Sequence, residues 1–185
     1  MAVAERFRYR VTVMALSMSP QNWTTTLRHL YELAKERYAS GVRGANQLFN
    51  EEECAALAKI GARPIELYDY VEDAWAVSWE TALLVMAVRR DYFLSVQKGA
   101  LPTEVWGNPP GRNETLEGIS WLPRLIYKAE ARLRGVLHES LMYGCGGDRA
   151  FFKEYDLHPA DFLRVVWVAE GDRKRIVRFV KTKQF

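Results

Sequence analysis

The chain has 185 residues, 49% of them hydrophobic and 26% charged, with a net charge of +3 at neutral pH. This balance excludes disordered, collagen-like and fibrous chains, and so small a net charge does not call for a polyanionic partner. A chain of this length buries roughly 70% of its unfolded surface. It therefore needs no disulfide staples or structural metal, and its two cysteines, Cys54 and Cys145, suit a reducing, cytoplasmic setting.

Residues 1–21 read as a loose leader. Arg6, Arg8 and Arg10 precede a mildly apolar stretch, Val11 to Leu16, that imitates a signal peptide until Ser17 to Pro20 break it. Met14 or Met18 would serve equally well as a start, and Arg8 to Leu16 is compatible with a strand. The longest apolar run, Ala82 to Val88, falls far short of the ~20 residues that span a bilayer, so no membrane segment is expected.

Trp23, Leu27, Leu30, Tyr31, Ala34 and Tyr38 recur at helical spacing, with Gly41 as a stop. Asn50 followed by Glu51, Glu52 and Glu53 predicts a capped helix ending at Gly61, with Phe49 and Cys54 as a hydrophobic staple. Pro64 opens a third helix through Leu67, Tyr68, Val71 and Trp75. Ser78 caps a fourth, Trp79 to about Gln97, which is apolar nearly all round and reads as the buried centre of a bundle. Residues 99–120, with Pro102, Gly107, Pro109, Pro110, Gly111 and Gly118 and no periodicity, read as a linker in which Trp106 is a lid or partner contact.

Beyond it, Leu122, Leu125, Ile126, Ala129 and Leu133 mark an amphipathic helix bounded by Pro123 and Gly135. Asp148 predicts the cap of a short helix holding Phe151 and Phe152, and His158-Pro159 opens another through Phe162, Leu163, Val166 and Trp167. Asp172 caps a last segment that is either a helix or an edge strand around Ile176 to Val180. Its basic residues, Arg173, Lys174, Arg175, Arg178, Lys181 and Lys183, could hold phosphates, so nucleic-acid binding is one reading; complementing a helix dipole and keeping a terminus soluble is the plainer one.

The stretch Leu141 to Arg149 carries the densest chemistry. Its glycines let amide groups converge at a helix start, a setting that attracts anions and could acidify the Cys145 thiol, with Arg149 adding positive charge. His138 could act as base for Cys145, oriented by Asp148 or Glu139; the plain alternative is a small apolar residue in a tight turn. On the third helix Asp69, Glu72 and Asp73 share a face, with Arg89 and Arg90 as expected partners rather than a cation. Cys54, Cys145, His29, His138 and His158 form no paired zinc element, and the turn Gly41 to Gln47 lacks the lysine and hydroxyl of a phosphate loop.

Three segments, Trp121 to Ala131, Tyr143 to Phe152, and His158 to Leu163, match W-L-P-R-x-I-x-K-A-x-A, Y-x-C-x-x-D-R-x-F-F and a helix opened by Pro or Ala. In these, residues 118–180 resemble an uncharacterised bacterial family classed as a domain of unknown function. The chain departs from it at Tyr127, where an acidic residue is expected, and in the glycines after Cys145. The resemblance implies a compact helical domain and brings no activity, cofactor or catalytic residue.

The expected architecture is all-α, a multi-helix bundle with helical halves at 22–98 and 121–185 joined by the 99–120 linker and able to pack as one. The leading functional expectation is a non-enzymatic cytoplasmic protein binding a protein partner or a small anionic ligand through Arg124, Lys128, Tyr143, Gly146, Asp148 and Arg149. The alternatives are an enzyme with Cys145 as nucleophile and His138 as base, and nucleic-acid binding by the basic terminus. No metal or cofactor is called for.

Overall fold

In the computed structural model, which describes residues 22–184, helices make up the architecture and the strands among the described residues form one small hairpin. The leader, with its signal-like stretch, alternative starts and possible strand, lies outside the described residues. Helix α1 (Trp23–Ala39) is followed by a short α2 (Ala45–Leu48), then α3 (Glu51–Lys59), α4 (Pro64–Glu72) and α5 (Trp79–Ser95). After the hairpin β1 (Thr115–Leu116) and β2 (Ile119–Ser120) come α6 (Leu122–Arg134), α7 (Gly146–Glu154), α8 (Pro159–Ala169) and α9 (Arg173–Thr182).

Most helix starts follow their local signals. Asn50 and Glu53 form a capping box at α3, each side chain accepting the other's backbone N–H at 2.9 Å. The Cys54 thiol faces the carbonyl of buried Phe49 at 3.8 Å. Ser78 caps α5, His158 Nδ1 accepts the Ala160 N–H at 3.2 Å, and Asp172 accepts from Lys174 and Arg175, making the last segment a helix and not a strand.

Helices α5, α6 and α8 pack on one another, α1 and α2 pack on α4, and α9 lies on α8. The core therefore draws on both sides of residues 99–120: Val85 and Met86 from α5, Leu125, Ile126 and Ala129 from α6, and Phe162, Leu163 and Val166 from α8. The intervening stretch is itself packed. Trp106 bridges in parallel to Leu137, donating its N–H to Val136 at 2.6 Å and accepting that of His138 at 3.0 Å, while its ring lies 5.6 Å from Tyr127. The β1–β2 turn puts Glu117 and Gly118 at φ 48° and 80°, a pair of positive values suited to a two-residue hairpin.

Four local expectations are corrected. Helix α4 ends at Glu72, and hydrogen bonds from Ala76 and Val77 back to the Asp73 carbonyl turn Val77 inward and leave Trp75 82% exposed. Helix α5 is not apolar towards the core all round: Leu84 and Leu94 are exposed, whereas Arg89 is fully buried. Asp148 is no cap but the third residue of α7, whose N-cap is Cys145. Asp73 pairs with Arg149 at 2.6 Å, not with Arg89 or Arg90.

Arg89 donates from Nη1 to Gln97 at 2.7 Å and lies beneath Gly135, where a Cβ would fall 2.5 Å from Nη2. Gly135 also has φ 72°. Gly135→Ala is thus expected to lose about 3 kcal/mol, combining left-handed strain with a steric clash against a buried guanidinium. Gly99→Ala, at φ 81° with open space around it, should lose only about 1–2 kcal/mol. Urea denaturation of the two variants checks the difference.

Candidate functional site

Helix α6 puts two cations into the core. Lys128 and Arg132 lie four residues apart, hence on one face, and are 2% and 3% exposed among Leu125, Ala129 and Leu133. A buried charge needs a partner and further hydrogen bonds, and each cation has an acid. Arg132 Nη1 lies 3.0 Å from Glu66 Oε1, and Glu66 Oε2 accepts the Arg63 N–H at 3.0 Å. Burial is the largest influence and lowers the Arg132 pKa, but Glu66, Tyr70, Asp69 and Tyr143 together outweigh it and raise it.

Lys128 forms an ion pair with Asp148, which is fully buried. Asp148 Oδ1 also accepts the Trp121 indole N–H at 2.9 Å, and Oδ2 the Gly144 N–H at 2.8 Å. Gly147 makes this possible: a Cβ there would fall 2.4 Å from the Trp121 ring, so the indole reaches Asp148 only because α7 opens on glycine. Lys128 donates to Cys145 Sγ as well, at 3.2 Å, and Cys145 is partly exposed. Tyr143 is buried and donates to the Pro159 carbonyl at 2.7 Å; burial, with Asp148 nearby, holds its hydroxyl well above the usual phenol range.

Arg149 sits one turn into α7. Its Nη1 donates to Asp73 at 2.6 Å and to the Gly144 carbonyl at 2.9 Å, joining the end of α4 to the glycine loop. No hydrogen bond among the described residues takes its Nη2 or Nε. It lines a cavity of about 350 Å3 with Tyr70, Val77, Ser78, Thr81, Gly144 and Phe152. The exposed Trp75 ring lies 5.8 Å from its guanidinium carbon.

The residues expected to act together thus divide. Lys128, Tyr143 and Asp148 are interior supports, with Cys145 at their edge. Arg149 faces the cavity, and Gly146, exposed at the start of α7, lies beside it: a Cβ on Gly146 would sit 3.8 Å from Arg149 Nη2. Arg124 is turned towards the hairpin side, donating to the Pro110 carbonyl at 2.9 Å over the Trp121 ring. The expected Cys145–His138 hydrogen bond is not formed: His138 Nδ1 lies 2.8 Å from Ser140 Oγ and accepts the Ser140 N–H, in a separate cleft of about 690 Å3 with Arg63 and Tyr68.

Sequence reasoning passed over Ser78, Thr81, Tyr70 and Phe152 as lining residues, since caps and core aromatics carry no mark of a cavity. The spacing of Lys128 and Arg132 within the apolar stripe of α6 was a readable sign of buried charge. Among the described residues no group of three His, Cys, Asp or Glu side chains could hold a metal ion, and no helix is long and apolar enough to cross a membrane. Comparison with protein-family models, with curated proteins and with solved structures gives no match.

Proposed function

We propose that the protein binds a small molecule with one carboxylate or similar anionic group on an apolar body, in the cavity between the α4–α5 turn and the start of α7. The observation that carries this reading is Arg149: it lines the cavity, its Nη1 is fixed by Asp73 and Gly144, and no hydrogen bond among the described residues takes its Nη2 or Nε. A guanidinium anchored on one side is pre-organised to meet an acid on the other. The Thr81 hydroxyl, which accepts from Ser78 and keeps its own proton to donate, is a further polar group on the lining, and Val77, Phe152 and Pro159 form an apolar wall. A volume of about 350 Å3 is at the small end for ligand sites, which suits a single ring or short chain.

Calorimetric titration with phenylacetate, against 2-phenylethanol as the neutral counterpart, tests it. The acid should bind at least about tenfold more tightly, and Arg149→Met should remove the preference. Arg149→Lys, which keeps a charge but not the fork, should retain part of it. Equal binding of acid and alcohol, or no binding of either, would count against the reading.

A cytoplasmic location and membership of the family resembled by residues 118–180 belong to the same proposal. In favour of the resemblance, its matching segments supply the interior contacts of Trp121, Lys128, Tyr143 and Asp148 and the cavity-lining Arg149. The nucleic-acid reading has less support. Arg173 pairs with Glu130 at 3.0 Å, Lys181 with Glu117 at 3.4 Å, and Lys183 donates to the Tyr155 carbonyl.

A further inference from the structure

We propose that Cys145 and Lys128 form a covalent sulfur–nitrogen cross-link in response to a hydroperoxide. The Lys128 amine donates to Cys145 Sγ at 3.2 Å, is 2% exposed, and is held in place by Asp148 on its other side. Cys145 is partly exposed at the start of α7, which gives a small oxidant a route to this residue, and the buried Lys128 amine lies against its sulfur. The other cysteine lacks this arrangement, since Cys54 Sγ faces the Phe49 carbonyl. The contact does not require a ligand in the Arg149 cavity, although Lys128 also belongs to the interior pair beneath it.

Two steps balance. The Cys145 sulfur attacks a peroxide oxygen; an S–O bond forms, the O–O bond breaks, and the departing hydroxide or alkoxide takes the thiol proton. The sulfur is oxidised to sulfenic acid and the peroxide reduced to water or an alcohol. Lys128, having passed one proton to Asp148, then attacks the sulfenic sulfur through its nitrogen lone pair. The S–N bond forms, the S–O bond breaks, and the leaving hydroxide combines with the proton the nitrogen gives up, releasing water. The chain loses two hydrogens overall, and a thiol reductant restores both side chains. The link ties the middle of α6 to the N-cap of α7.

The test is mass spectrometry of the full chain treated with hydrogen peroxide in a Cys54→Ser background, which excludes an intramolecular disulfide of the same mass. The expected product is lighter by about 2 Da, yields one peptide joining Lys128 to Cys145, and reverts with dithiothreitol. Cys145→Ser in the same background should not give it. Cys145 recovered unmodified, or as sulfenic, sulfinic or sulfonic acid with Lys128 in an unlinked peptide, while circular dichroism reports a folded chain, would overturn the proposal.

Discussion

Replacing Asp148 with asparagine is expected to lower the stability of the fold by about 3–5 kcal/mol. Asparagine keeps one acceptor but sets an NH2 donor where the second oxygen was, so one of the hydrogen bonds from the Trp121 indole and the Gly144 N–H is lost together with the charge. Lys128 is left as a buried ammonium with only Cys145 Sγ as partner, and the desolvation cost of an unpaired ion is what makes breaking a buried pair so expensive. The double variant Lys128→Met with Asp148→Leu removes both charges and should recover much of the loss, because an apolar pair in a dry core is often no worse than an ion pair. Urea denaturation of this double variant and of the matching singles, Lys128→Met and Asp148→Leu, gives the coupling as a double-mutant cycle. A single variant within about 1 kcal/mol of the parent would mean that the pair is not a structural support.

The second large effect lies on α4. Burial raises the Asp69 carboxyl from 3.8 to about 7, with Glu66, Glu72 and Asp73 adding like charge and Arg132 opposing the shift. The folded chain thus keeps a proton that the unfolded chain releases near pH 4. Stability from this group is fully present below about pH 4, falls as pH rises from about 4 to 7, and above 7 the fold carries a buried carboxylate at a cost. The full shift corresponds to ~4 kcal/mol, and residual solvent access at this partly buried side chain reduces it to about 2. Asp69→Asn should therefore be more stable than the parent by about 2 kcal/mol at pH 8 and nearly equal to it near pH 4. A variant less stable at both pH values would show that Asp69 acts as a paired carboxylate instead.

What the sequence made legible is what is decided locally. Asn50, Pro64, Ser78, Pro159 and Asp172 start helices because their side chains or fixed φ satisfy the first turn whatever lies beyond. The stripe of α6 could be read because its period is that of the helix, and the all-α architecture follows from such segments. Asp148 was misassigned as a cap because two glycines argue against a helix interior; the start at Gly146 is held by the Trp121 ring, which needs the absent Cβ of Gly147. Arg89 reads from the sequence as a partner of the α4 carboxylates, and only its position between Gly135 and Gln97 explains its burial.

The partners Lys128–Asp148, Arg132–Glu66 and Arg149–Asp73 join segments far apart in the chain, and nothing in local spacing selects them. The hairpin escaped notice because strands of two residues carry no alternation to read. The candidate site was accordingly half legible. The segment from Tyr143 to Arg149 was found, but its residues were assigned one common role, whereas burial gives Lys128, Tyr143 and Asp148 to the interior and leaves Arg149 facing the cavity.

In the proposed reading, the Lys128–Asp148 pair underlies an Arg149-lined cavity that receives a small acid. Backbone amide shifts in a 1H–15N spectrum titrated with phenylacetate test it most directly. Saturable shifts centred on Val77, Thr81, Gly144 and Arg149, and lost in Arg149→Met, are the predicted result. Shifts centred instead on Gly44 to Gln47 and His138 to Ser140, or none that saturate, would contradict it.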